Sequence, residues 1–177
     1  MEFAFLGWPD DGPTLQLDWR EFSYAGKFVM SSTGKAVARE DGEIVGAVAF
    51  NEDRTDESRA WIRYVTVRKS DRGNGIGARL TAFATDRILD RYETVRTGAN
   101  NPFSYQAFYK AGFGFVGEET GMAELVLERP VDRSPERYRD GLRRYEDRDL
   151  SPEETAFVEE HRSMAPPATV DAPKGED

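Results

Sequence analysis

Residues 72–77 read Arg-Gly-Asn-Gly-Ile-Gly, and they join two segments of opposite character. Before them runs the apolar, strand-like stretch Ala60-Trp61-Ile62-Arg63-Tyr64-Val65-Thr66-Val67. After them, Ile76, Leu80, Phe83, Ala84 and Ile88 recur with the spacing of one helix face, in a run reaching about Tyr92. A strand that enters a helix through alternate glycines restricts the chain to layered α/β architectures. Such a turn lets the backbone approach a large group. It also leaves N–H groups unpaired at the helix start, where the helix dipole favours an anion such as a phosphate.

The spacing discriminates among phosphate motifs. A Walker loop requires Gly-Lys-Ser/Thr, whereas Gly77 is followed by Ala78-Arg79. A dinucleotide fingerprint requires Gly-x-Gly-x-x-Gly, and here the glycines fall at 73, 75 and 77. Arg72-Gly73-Asn74-Gly75-Ile76-Gly77 resembles the Arg/Gln-x-x-Gly-x-Gly/Ala loop of the GCN5-related N-acetyltransferase (GNAT) superfamily, with Val67 five residues upstream where that family also has valine. Downstream, the run from Asn101 to Phe113 resembles the family's Asn-x-x-Ala/Ser-x-x-x-Tyr-x-x-x-Gly-Phe helix. The resemblance covers roughly Lys35 to Arg129.

Composition narrows the chemistry. The 177 residues carry a net charge of −9, with 24 basic side chains against 33 acidic ones. Only five of the basic residues are lysines (27, 35, 69, 110 and 174), an acidic, arginine-kept balance resembling that of salt-loving, haloarchaeal proteins. It argues against nucleic-acid binding, which needs a basic stripe. With no cysteine, an acyl-cysteine intermediate and thiolate-bound metals are excluded. The single histidine, His161, lies outside the motifs, so neither a histidine triad nor a multi-histidine metal site is expected. No apolar run suits a membrane span or a leader peptide, and a cytoplasmic location is expected.

The remaining segments follow from local signals. Glu2 to Leu6 reads as a strand, and Leu17 to Met30 as irregular with one short helix. Lys35 to Glu40 and Glu43 to Phe50 alternate and are joined by Asp41-Gly42, a two-residue hairpin signal. Strands follow at 60–68 and 93–98, the latter parallel to the former because a helix separates them. Asn101-Pro102 opens a helix that Gly112 closes. Residues 113–116 and 122–129 read as a last hairpin. Ser134-Pro135 and Ser151-Pro152 open two charged, weakly amphipathic helices, about 135–147 and 152–163. The expected organisation is a GNAT-like domain over 1–130, a helical extension over 131–164 and a mobile tail over 165–177. The expected fold is α/β, with a central mixed, mostly antiparallel sheet, a splayed parallel strand pair and flanking helices.

The resemblance implies acetyl-CoA as donor and a small-molecule or peptide amine as acceptor, in a direct transfer within a ternary complex. It implies that the pantetheine arm lies between the strands 60–68 and 93–98, contacting backbone groups of Val65, Thr66 and Val67. The N–H groups of Arg72, Gly73, Asn74, Gly75, Ile76, Gly77 and Ala78 would hold the pyrophosphate. The N–H of Val67 would face the developing oxyanion. Asn101 would cap its helix and reach the cofactor, with Ser104 one turn on.

Two departures from the family pattern concern proton transfer. The position of the family's tyrosine is occupied by Phe108. Tyr109 or Tyr105 could replace it as general acid. Tyr109 is the preferred candidate, because a tightened helix end would turn it inward, and each also reads as an ordinary half-buried tyrosine. The strand positions nine and eleven residues before Arg72, where the family often places a glutamate, hold Arg63 and Trp61. Arg63 reads either as a surface or ion-paired arginine or as a group that binds an acidic acceptor. An alternative to catalysis is an acyl-CoA-binding sensor or partner module, and the C-terminal helices offer a possible homodimer surface.

Overall fold

A computed structural model describes residues 1–175. Seven strands form one sheet in the order β1-β2-β3-β4-β5-β7-β6. They are β1 (Glu2–Gly7), β2 (Gly34–Glu40), β3 (Glu43–Glu52), β4 (Arg59–Val67), β5 (Thr94–Ala99), β6 (Gly114–Glu119) and β7 (Leu125–Arg129). Four helices accompany them: α1 (Ile76–Ile88), α2 (Pro102–Lys110), α3 (Pro135–Tyr145) and α4 (Pro152–His161). The sheet is mixed and mostly antiparallel, with β4 and β5 its parallel neighbours, as the intervening α1 requires. The chain divides into two compact units, residues 1–95 with the segment from Asp171, and residues 96–170.

In the first unit, β1 to β4 pair antiparallel in chain order. The β2–β3 turn is the expected two-residue hairpin: Asp41 and Gly42 both take positive φ, 51° and 82°. Alternation along the strands gives the sheet two apolar faces. On one, α1 packs so closely that a Cβ added to Gly46 would lie 3.1 Å from Leu80 and 3.4 Å from Ile76. On the other, Leu15 and Phe28 cover Val37, Ala47 and Ala49. The segment from 13 to 33 supplies that cover with little regular structure; the expected short helix is only a 3₁₀ turn, Ala25–Lys27. It is held instead by Lys35. That side chain is fully buried and donates to the carbonyls of Pro13 (2.6 Å), Met30 (2.7 Å) and Thr33 (2.9 Å) and to the Thr33 hydroxyl (2.7 Å).

A register shift interrupts the β3–β4 ladder. Ala49 pairs with Tyr64 but Phe50 pairs with Ile62, leaving Arg63 as the extra residue of a β-bulge. Ala49 belongs to the face covered by Leu15 and Phe28, and so do its partner Tyr64 and, two residues on, Asn51 with its partner Trp61. Arg63 bonds to Asn51 and stacks near Trp61, so the bulge sends the consecutive residues Arg63 and Tyr64 to one face.

The second unit is built on tyrosines. Tyr105 and Tyr109 of α2 and Tyr138 and Tyr145 of α3 are all fully buried. Their rings contact one another: Tyr105 lies 4.9 Å from Tyr109, 5.8 Å from Tyr138 and 5.9 Å from Tyr145. A Cβ on Gly141 would fall 2.1 Å from the Tyr105 hydroxyl, so α3 crosses α2 at a residue with no side chain. The expectation of a weakly amphipathic helix here is therefore corrected: Tyr138, Leu142 and Tyr145 form a buried stripe at helical spacing. Helix α4 adds Phe157, 5.1 Å from Phe103 of α2 and stacked on His161. Of the segment read as a tail, Val170 donates its N–H to Lys110 O, and Gly175 sits where a Cβ would meet the Phe83 ring at 2.1 Å. Residues 176 and 177 lie outside the described residues.

Candidate active site

The glycine-rich loop lies at the end of β4 in the first unit. Gly73 and Gly75 take φ of 86° and 77°, a region that disfavours side chains, and Gly75 is the N-cap of α1. The capping position carries no side-chain acceptor. Among the described residues, none of the N–H groups from Gly73 to Ala78 has a hydrogen-bond partner; the first helical bond is Arg79 N–H to Gly75 O. Residues 72–75 are exposed. Bare donors thus stand at the positive end of a 13-residue helix, where the dipole favours negative charge. Gly77 differs from Gly73 and Gly75 in having no positive φ, and an added Cβ there would make only an ordinary contact with Val67 at 3.5 Å.

The loop is braced. The Arg72 guanidinium donates through Nε to Val67 O (3.2 Å) and through Nη2 to Ser23 Oγ (3.0 Å). Asn74 Nδ2 donates to Asp71 O (3.1 Å), and Lys69 N–H donates to Glu21 O (2.9 Å). Arg72 thus supports the loop from behind and ties it to the 13–33 segment.

The ladder determines which backbone groups of β4 are committed to β3. Arg68 N–H donates to Val45 O at 2.8 Å. In an antiparallel pair such bonded positions alternate with unbonded ones. Thr66, opposite Ala47, therefore spends its backbone on β3. Val67 and Val65, opposite Gly46 and Val48, turn their N–H and C=O groups away from β3. The expected trio Val65, Thr66 and Val67 thus divides, the two valines differing from Thr66 in the direction of their backbone groups. What Thr66 does offer is a side chain: it is 3% exposed, and its hydroxyl has no partner.

Asn101, Ser104, Tyr105, Phe108 and Tyr109 belong to the second unit. Asn101 caps α2, its Oδ1 accepting from Ser104 N–H at 2.8 Å. Phe108 is buried against Phe113. The Tyr109 hydroxyl accepts from Phe115 N–H (2.9 Å) and pairs with the Tyr105 hydroxyl, which donates to Tyr138 O (2.8 Å). Burial raises the pKa of both Tyr105 and Tyr109. Burial likewise pushes Tyr138 up to about 12. These phenols keep their protons across the ordinary pH range. A general-acid role for Tyr109 would require its hydroxyl to leave Phe115. Sequence reasoning missed Tyr138 and Tyr145 as partners of α2. Their spacing with Leu142 (i, i+4, i+7) was the available signal.

Arg63 and Trp61 stand where a strand carboxylate was sought. The Trp61 indole donates to Asp53 Oδ2, and Asp53 also accepts from the Thr55 N–H and hydroxyl. No helix among the described residues is long and apolar enough to cross a membrane.

The fold resembles that of an acetyltransferase from Thermus thermophilus, at 16% identity and a TM-score of 0.54, over 74% of this chain and 98% of that one. It is also similar to an N-acetyltransferase from Staphylococcus aureus Mu50 (22% identity, TM-score 0.47, 54% of this chain and 66% of that one). A Pyrococcus horikoshii OT3 protein gives 22% identity and a TM-score of 0.46 over 55% of this chain and 65% of that one. The chain spans just under two thirds of the length of these last two proteins. No curated protein matches it. Residues 1–115, well over half of the sequence and including both β4 and the glycine-rich loop, match the profile of the acetyltransferase (GNAT) family, and the chain belongs to that family.

Proposed function

We propose that the protein is an N-acetyltransferase that moves an acetyl group from acetyl-CoA to an amine by direct attack. The observation that carries this reading is the run of unpartnered N–H groups from Gly73 to Ala78 at the start of α1, next to a strand whose Val65 and Val67 backbone groups face away from β3. A diphosphate suits the first feature. An amide-bearing pantetheine arm suits the second, as an added strand-like ladder.

Bound acetyl-CoA supplies a thioester: the amine lone pair forms the new C–N bond as the C–S bond breaks, the nitrogen gives up a proton and the departing thiolate takes one. The chain has no cysteine to hold the acetyl group, which leaves direct transfer as the route. Val65 and Val67 N–H, which β3 does not use, are the donors this reading assigns to the carbonyl oxygen as it gains charge. The Val67 carbonyl is already bonded to Arg72, which fixes the peptide between Val67 and Arg68. A thiol pKa near 8.5 allows the sulfur to leave as thiolate, so the Tyr109 hydroxyl can stay on Phe115. The amine must arrive neutral, at a cost of about 4 kcal/mol for a pKa near 10 at neutral pH. With no carboxylate on β4, water is the proton acceptor in this reading.

A thiol-release assay with acetyl-CoA and a broad amine panel tests the proposal, preceded by calorimetry of coenzyme binding. Uptake of coenzyme without turnover of any amine would favour the second reading, an acyl-CoA sensor, which Phe108 and Arg63 motivate. Absence of coenzyme binding by folded protein would remove both.

A further inference from the structure

Arg63 has a bonding pattern that the transfer itself does not explain. Its Nε donates to Asn51 Oδ1 at 2.7 Å, and its guanidinium carbon lies 5.3 Å from the Trp61 ring centre. The two Nη groups have no partner, and no carboxylate lies within ion-pair range of them among the described residues. The chain carries 33 acidic side chains against 24 basic ones, so this is not for lack of acids. The nearest acid, Asp53, is committed to Trp61, Thr55 and Arg59. Burial, and then the nearby Arg54, push the Arg63 pKa below its ordinary value. A half-buried cation beside another cation, with only the already committed Asp53 to attract it, is a costly arrangement.

Its surroundings are those of a binding face. The β4 bulge puts Arg63 and Tyr64 on the same side of the sheet. Tyr24 lies 5.5 Å from Tyr64, ring centre to ring centre, and Lys27 Nζ lies 5.8 Å from the Tyr64 ring. Tyr24 is half exposed and is held at φ 61°, a strained conformation for a residue with a side chain. Arg63 is only two residues, about 7 Å along the strand, from the Val65 backbone groups that turn away from β3.

We propose that the acceptor is an amine that also carries a carboxylate, with the free Nη edge of Arg63 binding the carboxylate while Tyr24 and Tyr64 flank the body of the molecule. The planar fork of a guanidinium matches a carboxylate with two parallel hydrogen bonds. Asn51 occupies Nε and Trp61 lies beside the guanidinium, which leaves the Nη edge to the carboxylate. The proposal rests on the acetyltransferase reading above and adds the substrate class to it.

The test compares glycine, β-alanine and γ-aminobutyrate with the neutral amide of each, as acceptors for wild-type protein, Arg63→Met and Arg63→Lys. The readout is the ratio of kcat/KM for acid over amide, measured after calorimetry has established coenzyme binding by each variant. Wild type is expected to turn over at least one acid. In Arg63→Met the acid-over-amide ratio should fall at least fivefold, with Arg63→Lys restoring part of it. Differences in amine pKa between acid and amide cancel in this comparison of variants. A smaller change, or turnover of amides alone, overturns the proposal while leaving the acetyltransferase reading intact. Coenzyme binding with no turnover of any acid overturns it too, whereas failure to bind coenzyme removes the acetyltransferase reading itself.

Discussion

Replacing Lys35 with methionine is the sharpest test of how the 13–33 segment is held. Methionine keeps the length of the side chain and removes the ammonium. Three N–H protons then disappear from four acceptors: the carbonyls of Pro13, Met30 and Thr33 and the Thr33 hydroxyl. These groups have few substitutes, since the segment's regular structure amounts to one 3₁₀ turn. Each buried acceptor left without a donor costs about 1 kcal/mol or more. Removing a fully buried charge offsets part of the loss. The net is a destabilisation of about 3 kcal/mol. For a chain of this size that is a drop of roughly 6–12 °C in Tm, at about 2–4 °C per kcal/mol.

Urea unfolding of the two proteins, with matched m-values, measures the difference directly. The pH dependence offers an independent check. Burial holds the Lys35 pKa below its ordinary value of 10.5. Between that lowered pKa and 10.5 the unfolded chain binds more protons than the folded one, so stability climbs with pH in that window and is flat below it. Lys35→Met should lack the climb. Equal stability of the two proteins near neutral pH would show that water satisfies the carbonyls and that Lys35 is no staple.

Other expectations follow from single contacts. Gly141→Ala places a methyl 2.1 Å from the Tyr105 hydroxyl and should cost about 2 kcal/mol or more in urea unfolding, because α3 must move off α2. Burial alone would raise the Asp53 carboxyl, but its bonds to Thr55 and Trp61 and the charge of Arg59 hold it at about 2. That stability is present above the ordinary 3.8 and lost as pH falls through about 2, so acid titration should remove about 2 kcal/mol more from wild type than from Asp53→Asn. Gly75→Val forces a branched side chain to a φ of 77° and should abolish coenzyme binding by calorimetry, whereas Gly77→Ala, with only a 3.5 Å contact to Val67, should retain it.

Much of the fold was legible because its signals are local. Asp41-Gly42 specifies a hairpin through its own positive φ angles, Asn101-Pro102 specifies a helix start, and Ser151 with Glu154 closes a capping box. Features that depend on a second strand or helix were not legible. The β4 bulge exists only relative to β3, so simple alternation could not show that Arg63 and Tyr64 share a face. Lys35 occupies a strand position that reads as polar, and its acceptors are mostly carbonyls, which have no identity in the sequence. The tyrosines of α2 were weighed as candidate acids because Phe108 had displaced the expected hydroxyl. Their partners lay some thirty residues downstream in a helix read by its charges. Within the candidate site, the loop was readable from its glycines, but which β4 peptides turn away from β3 depended on the pairing of Arg68 with Val45.

That pairing also makes Thr66 the odd residue of the strand. Its backbone belongs to β3, its residue is 3% exposed, and its hydroxyl meets no acceptor or donor. Threonine and valine have the same shape, so Thr66→Val removes the hydroxyl and changes little else. Burying a hydroxyl without a bond costs about 1–3 kcal/mol. If the hydroxyl is orphaned in the free protein, valine should raise stability, by about 1 kcal/mol, since the surrounding packing is already shaped for it. A loss of about 1 kcal/mol or more on urea unfolding would mean that the hydroxyl has a partner in solution, such as a buried water, and would refute the assignment. A gain in stability accompanied by weaker acetyl-CoA binding would point the other way. The hydroxyl would then be kept, at a cost to the free protein, for a bond that forms only when the strand's open edge is occupied.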